Sequence, residues 1–489
     1  MAGPPPKSLA NPRVAMWGLA FALAVGAILR LWHLPSNSLY LDEAFVFEAA
    51  RMPVASMLGF LADHDAHPPL FYLMTHAAVV TLGWPPTWYR FLTAPFGLMT
   101  IVCTWAIARR TFGDVAAAAA AIVVATEPTL ILFDRLYRMY ALLTALSAAS
   151  FWLMLCALAA DGARRRWLWL CYAIVVVVIV QLQYLGFIVI ASQGCYALFD
   201  VRRRWPVIAS GAAALLALTP WWWIIVRQWP QAGFAGGQAP GSPWTLSRDV
   251  LGYGIPVDWY YRTVAYDWPF TAAVAAIVVA AIWLGRGGIV GLYVVPLTIQ
   301  AVATTLFHRN LLYGRYLIYL IPGFALACGA ATAALVSSKA RVAGVVVLAG
   351  VLALNGVADT NLLLDKFYQL SDWNTVETLL SSHERRTDAI VFDQIYSYLV
   401  LRSSPFVAGH EIRGPQSPSD IGPVLNWIDE RPAQRVWYVE NQRFYSDPGG
   451  DVKKHLDATR PRISQWLEPR ADPSNIVYVA LYGPERRSR

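Results

Sequence analysis

Apolar residues run along this chain in blocks of about twenty, and the short gaps between the blocks repeatedly hold arginine. A helix needs about 20 mostly apolar residues to cross roughly 30 Å of hydrocarbon, and inside lipid every backbone polar group must be satisfied within the segment. Each block is therefore expected to be a transmembrane helix. The pattern predicts roughly eleven: Val14 to about Leu34, then near 89–108, 115–133, 139–160, 167–183, 185–200, 206–226, 268–284, 289–307, 316–335 and 342–358. The first block follows Lys7 and Arg13 in the manner of a signal peptide, but it is too long and no small-residue cleavage site follows it. An uncleaved first span is expected.

Beyond residue 358 the pattern changes to higher charge, with short β-type runs at Ala389 to Phe392, Val436 to Val439 and Ile476 to Leu481. Asp372 is placed to cap a helix running through Trp373 to Leu380. The expected fold class is thus an α-helical polytopic membrane protein over residues 1–358 with a small soluble α/β domain over 359–489. That domain has no GxGxxG, P-loop or nucleophile elbow, so a packing or substrate-shaping role is expected of it. The sequence shows no internal repeat and no long low-complexity tract.

Composition agrees with the membrane reading. The 489 residues are 57% hydrophobic and 14% charged, against about 25% charged in soluble domains. The net charge of +8 does not point to nucleic acid, because most arginines sit in short loops between spans, where they orient a membrane protein. Cys103, Cys156, Cys171, Cys195 and Cys328 all fall in apolar runs without a CxxC partner, which argues against a disulfide framework.

The basic clusters also set an expected topology. With a cytoplasmic N-terminus, Lys7 with Arg13, Arg109 with Arg110, Arg164 to Arg166, Arg202 to Arg204, Arg286, and Lys339 with Arg341 all lie inside. This registration holds only if the moderately apolar stretch Pro69 to Trp84 stays on the outer surface as a helix. The outer face then receives residues 35–88, residues 227–267 and the C-terminal domain, and any chemistry is expected there. Trp221 to Trp223 and Trp229 suit the outer headgroup interface.

Several residues in those outer segments carry candidate chemistry. Asp42 and Glu43 stand immediately after the first span, where one carboxylate can accept a proton from an acceptor hydroxyl or where both can simply favour a helix start. Being adjacent, they point in different directions, so a single base is expected. The run Asp63-His64-Asp65-Ala66-His67-Pro68-Pro69 fits a solvated loop, a substrate contact or a divalent metal, although its spacing matches no closed zinc site. Arg135, Arg138, Arg309 and Arg315 lie at outer span ends against the orientation rule, and Arg30 is ambiguous in the same way. Such cations either snorkel to headgroups or bind a lipid phosphate through paired, charge-assisted hydrogen bonds.

With these residues in view, the chain resembles the membrane glycosyltransferases of the C-type fold, in particular the protein mannosyltransferase and bacterial aminoarabinose transferase group. The resemblance rests on the order of Leu31-Trp32, Leu41-Asp42-Glu43-Ala44, His67-Pro68-Pro69-Leu70-Phe71-Tyr72, Tyr89-Arg90-Phe91, Ala108-Arg109-Arg110-Thr111-Phe112-Gly113, Arg138-Met139-Tyr140-Ala141-Leu142 and Arg315-Tyr316-Leu317. It covers roughly residues 14–335, with a looser match at Asp372-Trp373.

The resemblance implies a polyprenyl-phosphate sugar as donor, inversion at the anomeric centre, and Asp42, beside Glu43, as catalytic base. Arg138 and Arg315, with Arg309 and Tyr316, are then the expected contacts of the donor phosphate. Asp65, His67, Tyr140 and His308 are the expected contacts of the rest of the substrate. No cofactor is expected beyond an optional divalent metal. The acceptor is a lipid, glycan or protein hydroxyl, and the setting is a bacterial inner membrane. One departure stands out, because many bacterial relatives carry an acidic residue two positions before Arg-Met-Tyr, where this chain has Leu136. Asp134 is the nearest carboxylate that can stand in.

Two other classes fit a polytopic chain. A lipid-linked sugar flippase or secondary transporter would bind phosphate without catalysis, although repeated halves and polar or broken helices are not evident in the sequence. A scaffold subunit would tolerate changes at Asp42, Glu43 and Arg315.

Overall fold

The computed structural model describes residues 11–198, 204–229, 272, 274–279, 293–307, 311–312, 314–365, 370–383, 385–402, 407, 409–441, 446–468 and 476–485. Contacts divide the chain into two units, Met1–Leu34 with Ala49–Thr360, and Pro35–Glu48 with Asn361–Arg489.

In the first unit, α1 (Pro12–Leu31) starts at Asn11, whose side chain accepts a hydrogen bond from Val14 N at 3.3 Å, with proline in the first turn. The helix α2 (Leu41–Arg51) ends in this unit, followed by α3 (Val54–His64) and α4 (Leu70–Leu82). Gly83, at φ +60°, stops α4 in the left-handed conformation that favours glycine. Next come α5 (Arg90–Phe112), α6 (Asp114–Ala125) and α7 (Pro128–Asp134), with Gly113 at φ +98° between α5 and α6. The unit continues with α8 (Tyr140–Leu158), α9 (Gly162–Leu182), α10 (Gly186–Leu198), α11 (Arg204–Ala217), α12 (Trp222–Gln228), α13 (Val295–Phe307), α14 (Ile321–Val336) and α15 (Arg341–Leu364).

The alanine-rich α6 lies at the centre because its small side chains let three neighbours approach. A Cβ on Gly18 of α1 would stand 2.4 Å from Ala118 Cβ, and one on Gly329 of α14 would stand 2.5 Å from the Ala116 carbonyl. Without a hydrophobic drive between helices in lipid, this close backbone packing is what holds such helices together.

Among the described residues, seven helical segments are long and apolar enough to cross a membrane: Pro12–Leu31, Pro86–Phe112, Tyr140–Leu158, Gly162–Leu182, Trp205–Gln228, Ile318–Val336 and Arg341–Leu364. The pair α6 and α7, bent by 56° at a short break, makes an eighth if it is one span. Among the described residues, α10 and α13 fall within the predicted spans 185–200 and 289–307, each with 13 helical residues that run to the edge of the described segment. Of the predicted span 268–284, residues 272 and 274–279 are described, and they are helical. The helix α4, expected to lie along the surface, also has 13 residues and is too short to cross unaided.

The second unit is an α/β domain. Its sheet has the order β2-β1-β3-β5-β4, formed by β1 (Ala389–Phe392), β2 (Glu411–Arg413), β3 (Val436–Glu440), β4 (Arg462–Glu468) and β5 (Val477–Tyr482). β1 runs parallel to β2 and β3, and β5 runs antiparallel to β3 and β4. The two-residue period of the strands feeds two cores. Ile390, Phe392, Trp437 and Val439 pack with Trp373, Val376 and Leu380 of α16 (Trp373–His383). Val391, Val436 and Tyr438 face the other way, against Val424 and Ile428 of α18 (Ile421–Asp429) and Leu456 of α19 (Asp451–Thr459), while the short α17 (Tyr398–Leu401) adds to the first core. The cap expected of Asp372 is formed, because its carboxylate accepts from Thr375 N at 3.1 Å and from Thr375 Oγ1 at 2.8 Å.

At the foot of the sheet Asp388 is buried, which would raise its carboxyl. It nevertheless lies below its usual value of 3.8, because Arg435, the Arg385 backbone N–H and the Trp437 indole all donate to it. A carboxyl depressed in the folded state contributes stability that is present above its unfolded pKa and lost as pH falls through the folded value. The difference in unfolding midpoint between wild type and Asp388→Asn, followed by tryptophan fluorescence of the full chain, is therefore expected to shrink as pH drops below about 3.8.

Candidate active site

The turn between α3 and α4 brings four side chains together in the first unit. Asp65 closes α3, its N–H bonding the Leu61 carbonyl at 3.1 Å, and its Oδ1 accepts from Ala66 N at 2.8 Å. His67 Nδ1 stands 2.7 Å from the same oxygen. An ionised carboxylate can only accept, so Nδ1 carries the proton of this bond. Pro68 and Pro69 then set the chain into α4, and Tyr72 in its first turn turns back toward Asp65. Arg138 Nη1 donates to the Tyr72 hydroxyl at 3.3 Å. The Arg138 guanidinium also lies 6.0 Å from the centre of the Tyr140 ring.

Burial works to raise the Asp65 carboxyl, but the adjacent His67 and then Arg138 outweigh it and hold the group below the usual carboxylate range. Burial and the Asp65 charge push the Tyr72 phenol well above its ordinary value, so it stays protonated. The result is a buried line of carboxylate, phenol and guanidinium, with Arg138 only 4% exposed. Arg138 meets the Tyr72 hydroxyl in this line and acts electrostatically on the Asp65 carboxylate beyond it.

A second layer fixes this turn. Gln228, at the end of α12, donates through Nε2 to the carbonyls of Leu61 and His67, both at 3.0 Å, and accepts from the Tyr184 hydroxyl at 2.9 Å. Arg227 pairs with Asp63 at 2.5 Å. His64 Nδ1 lies 3.0 Å from the Phe60 carbonyl. The run from Asp63 to His67 therefore does not converge on one point, and among the described residues no group of three or more His, Cys, Asp or Glu is arranged to hold a metal ion.

The arginines that violate the orientation rule separate into different roles. Arg135 Nη1 donates to the carbonyls of Leu29, Arg30 and Trp32 at 3.1, 3.2 and 2.7 Å, covering the otherwise unpaired C-terminal end of α1. Arg30 does the same for α6 through Ala125 and Val124, at 2.8 and 3.3 Å, and pairs with Asp134 at 2.7 Å with both side chains buried. Asp134, the nearest carboxylate before Arg-Met-Tyr, is engaged by Arg30. Arg138 is the member of this group seen to enter the Asp65 turn among the described residues. Arg315, half-buried on the short turn Gly314–Tyr316 ahead of α14, lies 5.5 Å from the Tyr316 ring centre. Gln300 Nε2 reaches the Tyr316 carbonyl at 3.5 Å. Arg309 and His308 fall outside the described residues.

Asp42 and Glu43 open α2 in the second unit, and the structure gives them unlike surroundings. Glu43 is fully buried, and its carboxylate accepts from Tyr40 N at 2.9 Å, closing the helix start. Asp42 is half-buried. Of the two, Glu43 carries the capping work and Asp42 keeps the more open side chain.

The structure thus groups Asp65, His67, Arg138 and Tyr140, and adds Tyr72, Gln228 and Tyr184, which the sequence did not single out. Tyr72 stands inside the His-Pro-Pro-Leu-Phe-Tyr motif, a signal that could have drawn attention to it. Gln228 had no such signal, lying 161 residues from the carbonyl it holds.

A family model described as dolichyl-phosphate-mannose-protein mannosyltransferase matches residues 66–224. No curated protein matches the sequence significantly. Among solved structures, ArnT from Cupriavidus metallidurans in the apo state aligns with a TM-score of 0.55 and 16% identity over 95% of this chain and 97% of that one. The same protein bound to undecaprenyl phosphate aligns with a TM-score of 0.52 and 15% identity over 96% and 98%. The archaeal oligosaccharyltransferase AglB from Archaeoglobus fulgidus, in complex with an inhibitory peptide and a dolichol-phosphate, gives 0.52 and 12% over 97% of this chain and 74% of that one. The chain has the C-type membrane glycosyltransferase fold and carries, over residues 66–224, the sequence pattern of the dolichyl-phosphate-mannose-protein mannosyltransferases.

Proposed function

We propose that this protein transfers a monosaccharide from a polyprenyl phosphate to an acceptor hydroxyl on the extracytoplasmic face of the bacterial inner membrane, with inversion. The observation that carries the reading is Arg138, a buried cation that lies in the stretch matching the mannosyltransferase model and donates to the Tyr72 hydroxyl, close to the joined Asp65 and His67. Undecaprenyl phosphate on ArnT and dolichol-phosphate on AglB support a lipid phosphate as the anion it meets.

In the proposed step, the Asp42 carboxylate takes the proton of the acceptor hydroxyl while that oxygen attacks the anomeric carbon from the face opposite the phosphate. The bond between the anomeric carbon and the phosphate oxygen breaks, and its electron pair leaves with the phosphate as a dianion. Charge grows on the leaving group, so the demand is for fixed positive charge, which Arg138 and Arg315 supply. Asp65, His67, Tyr140 and His308 contact the remainder of the substrate, and Arg309 and Tyr316 assist at the phosphate.

Charge-assisted contacts of about 1.5 to 3 kcal/mol correspond to roughly tenfold to a hundredfold in rate or affinity. Arg138→Ala and Arg315→Ala are each expected to weaken polyprenyl phosphate binding by a factor in that range, measured by titration in nanodiscs. The function itself is tested by mass spectrometry of products after purified protein is offered a panel of polyprenyl-phosphate sugars with lipid, glycan and peptide acceptors. A new glycoside from one donor supports the reading, and none from any of them counts against it.

A further inference from the structure

The C-terminal domain has no catalytic motif, yet the segment that bears Asp42 is built into it. Pro35–Glu48 belongs to the same compact unit as Asn361–Arg489. Four attachments carry this. The Ser38 hydroxyl donates to the Ser371 carbonyl at 2.9 Å and accepts from Trp373 N at 3.1 Å, tying the residues before α2 to the start of α16. Asn374 Nδ2 adds a bond to the Ser36 carbonyl at 3.3 Å, and Trp373 itself is 1% exposed in the domain core. On α2, Phe45 meets Tyr396 edge-on with ring centres 6.4 Å apart, and Glu48 pairs with Arg402 just beyond α17. Phe45 and Glu48 are three residues apart and share one side of the helix, and Asp42 lies one turn before Phe45.

We infer that the C-terminal domain positions the catalytic helix, with Arg402 and Ser38 acting as positioning residues for Asp42. The inference rests on the proposed base role of Asp42. Its physical basis is that a general base must stand within hydrogen-bond reach of the proton it takes, and a displacement of about 1 Å costs up to roughly a hundredfold in rate. The pair joins a half-exposed Arg402 to a Glu48 that is 15% exposed, at the end of α2 away from Asp42. Its effect is expected chiefly on the placement of α2.

The test uses full-length protein in nanodiscs with Arg402→Glu, Glu48→Arg and the double exchange. Hydrogen exchange of the α2 amides is read alongside polyprenyl phosphate affinity and sugar transfer. Each single variant is expected to speed exchange in α2 and lower kcat by roughly ten- to a hundredfold, with phosphate affinity unchanged, and the double variant to recover both. Unchanged exchange in the single variants overturns the inference whatever Asp42 does. Faster exchange with wild-type turnover also overturns it, since the helix is then anchored without consequence. An Asp42→Asn variant that keeps wild-type turnover removes the base assignment, and the positioning role with it, even where the exchange data show the anchor.

Discussion

Asp42→Asn is expected to abolish sugar transfer while polyprenyl phosphate affinity stays near wild type. A positioned general base contributes about 10²- to 10⁴-fold, and the amide cannot take the proton. The substitution is nearly isosteric, and the start of α2 is held by other groups, namely the Glu43 carboxylate on Tyr40 N and the bonds from Glu43 N and Ala44 N to the Tyr40 carbonyl, each at 3.0 Å. Glu43→Gln is the paired control. Its amide oxygen still accepts from Tyr40 N, so measurable transfer is expected to remain. Turnover with radiolabelled donor, alongside titration of polyprenyl phosphate, separates loss of chemistry from loss of binding.

The largest effect on stability is expected at Arg30. Its guanidinium is fully buried, pairs with Asp134 and caps the carbonyl end of α6, and it lies within electrostatic reach of Glu127 and Asp359. Each of these three carboxylates has one buried oxygen without a hydrogen-bond partner among the described residues. Arg30 is thus the cation that keeps a crowded acidic patch tolerable inside a helical bundle. Removing one partner of a buried pair costs about 3 to 5 kcal/mol, because it strands the other charge. Arg30→Leu is expected to lower the thermal midpoint strongly in detergent, and Arg30→Leu with Asp134→Leu to recover much of the loss. A single variant that melts like wild type would mean the pair carries no such role.

Much of this architecture was legible because lipid imposes a coarse rule on sequence. Long apolar blocks became α1, α5, α8, α9, α14 and α15. The predicted spans 185–200 and 289–307 contain α10 and α13, which run up to the edge of the described residues. In the C-terminal domain the buried runs of β1, β3 and β5 were visible. β2 has three largely exposed residues, and β4 alternates outward-facing positions, so neither showed a run to find.

At the site, misplaced charge was the useful signal. It pointed to Arg138, but also to Arg135, whose guanidinium caps α1, because sequence does not distinguish a cation that meets backbone carbonyls from one that meets a ligand. Tyr72 lies 66 residues from Arg138, and that pairing depends on how α4 meets the turn before α8. The Asp63 to His67 cluster left three readings open. In the structure Asp63 pairs with Arg227, His64 lies against the Phe60 carbonyl, and Asp65 bonds His67.

The most direct measurement reconstitutes the purified protein in proteoliposomes with a polyprenyl-phosphate sugar and its acceptor, and counts the polyprenyl phosphate released against the glycoside formed. The account predicts one glycoside of inverted anomeric configuration for every lipid phosphate freed, and none with Asp42→Asn. Lipid-linked sugar carried across the bilayer intact, with no glycoside formed, would contradict it.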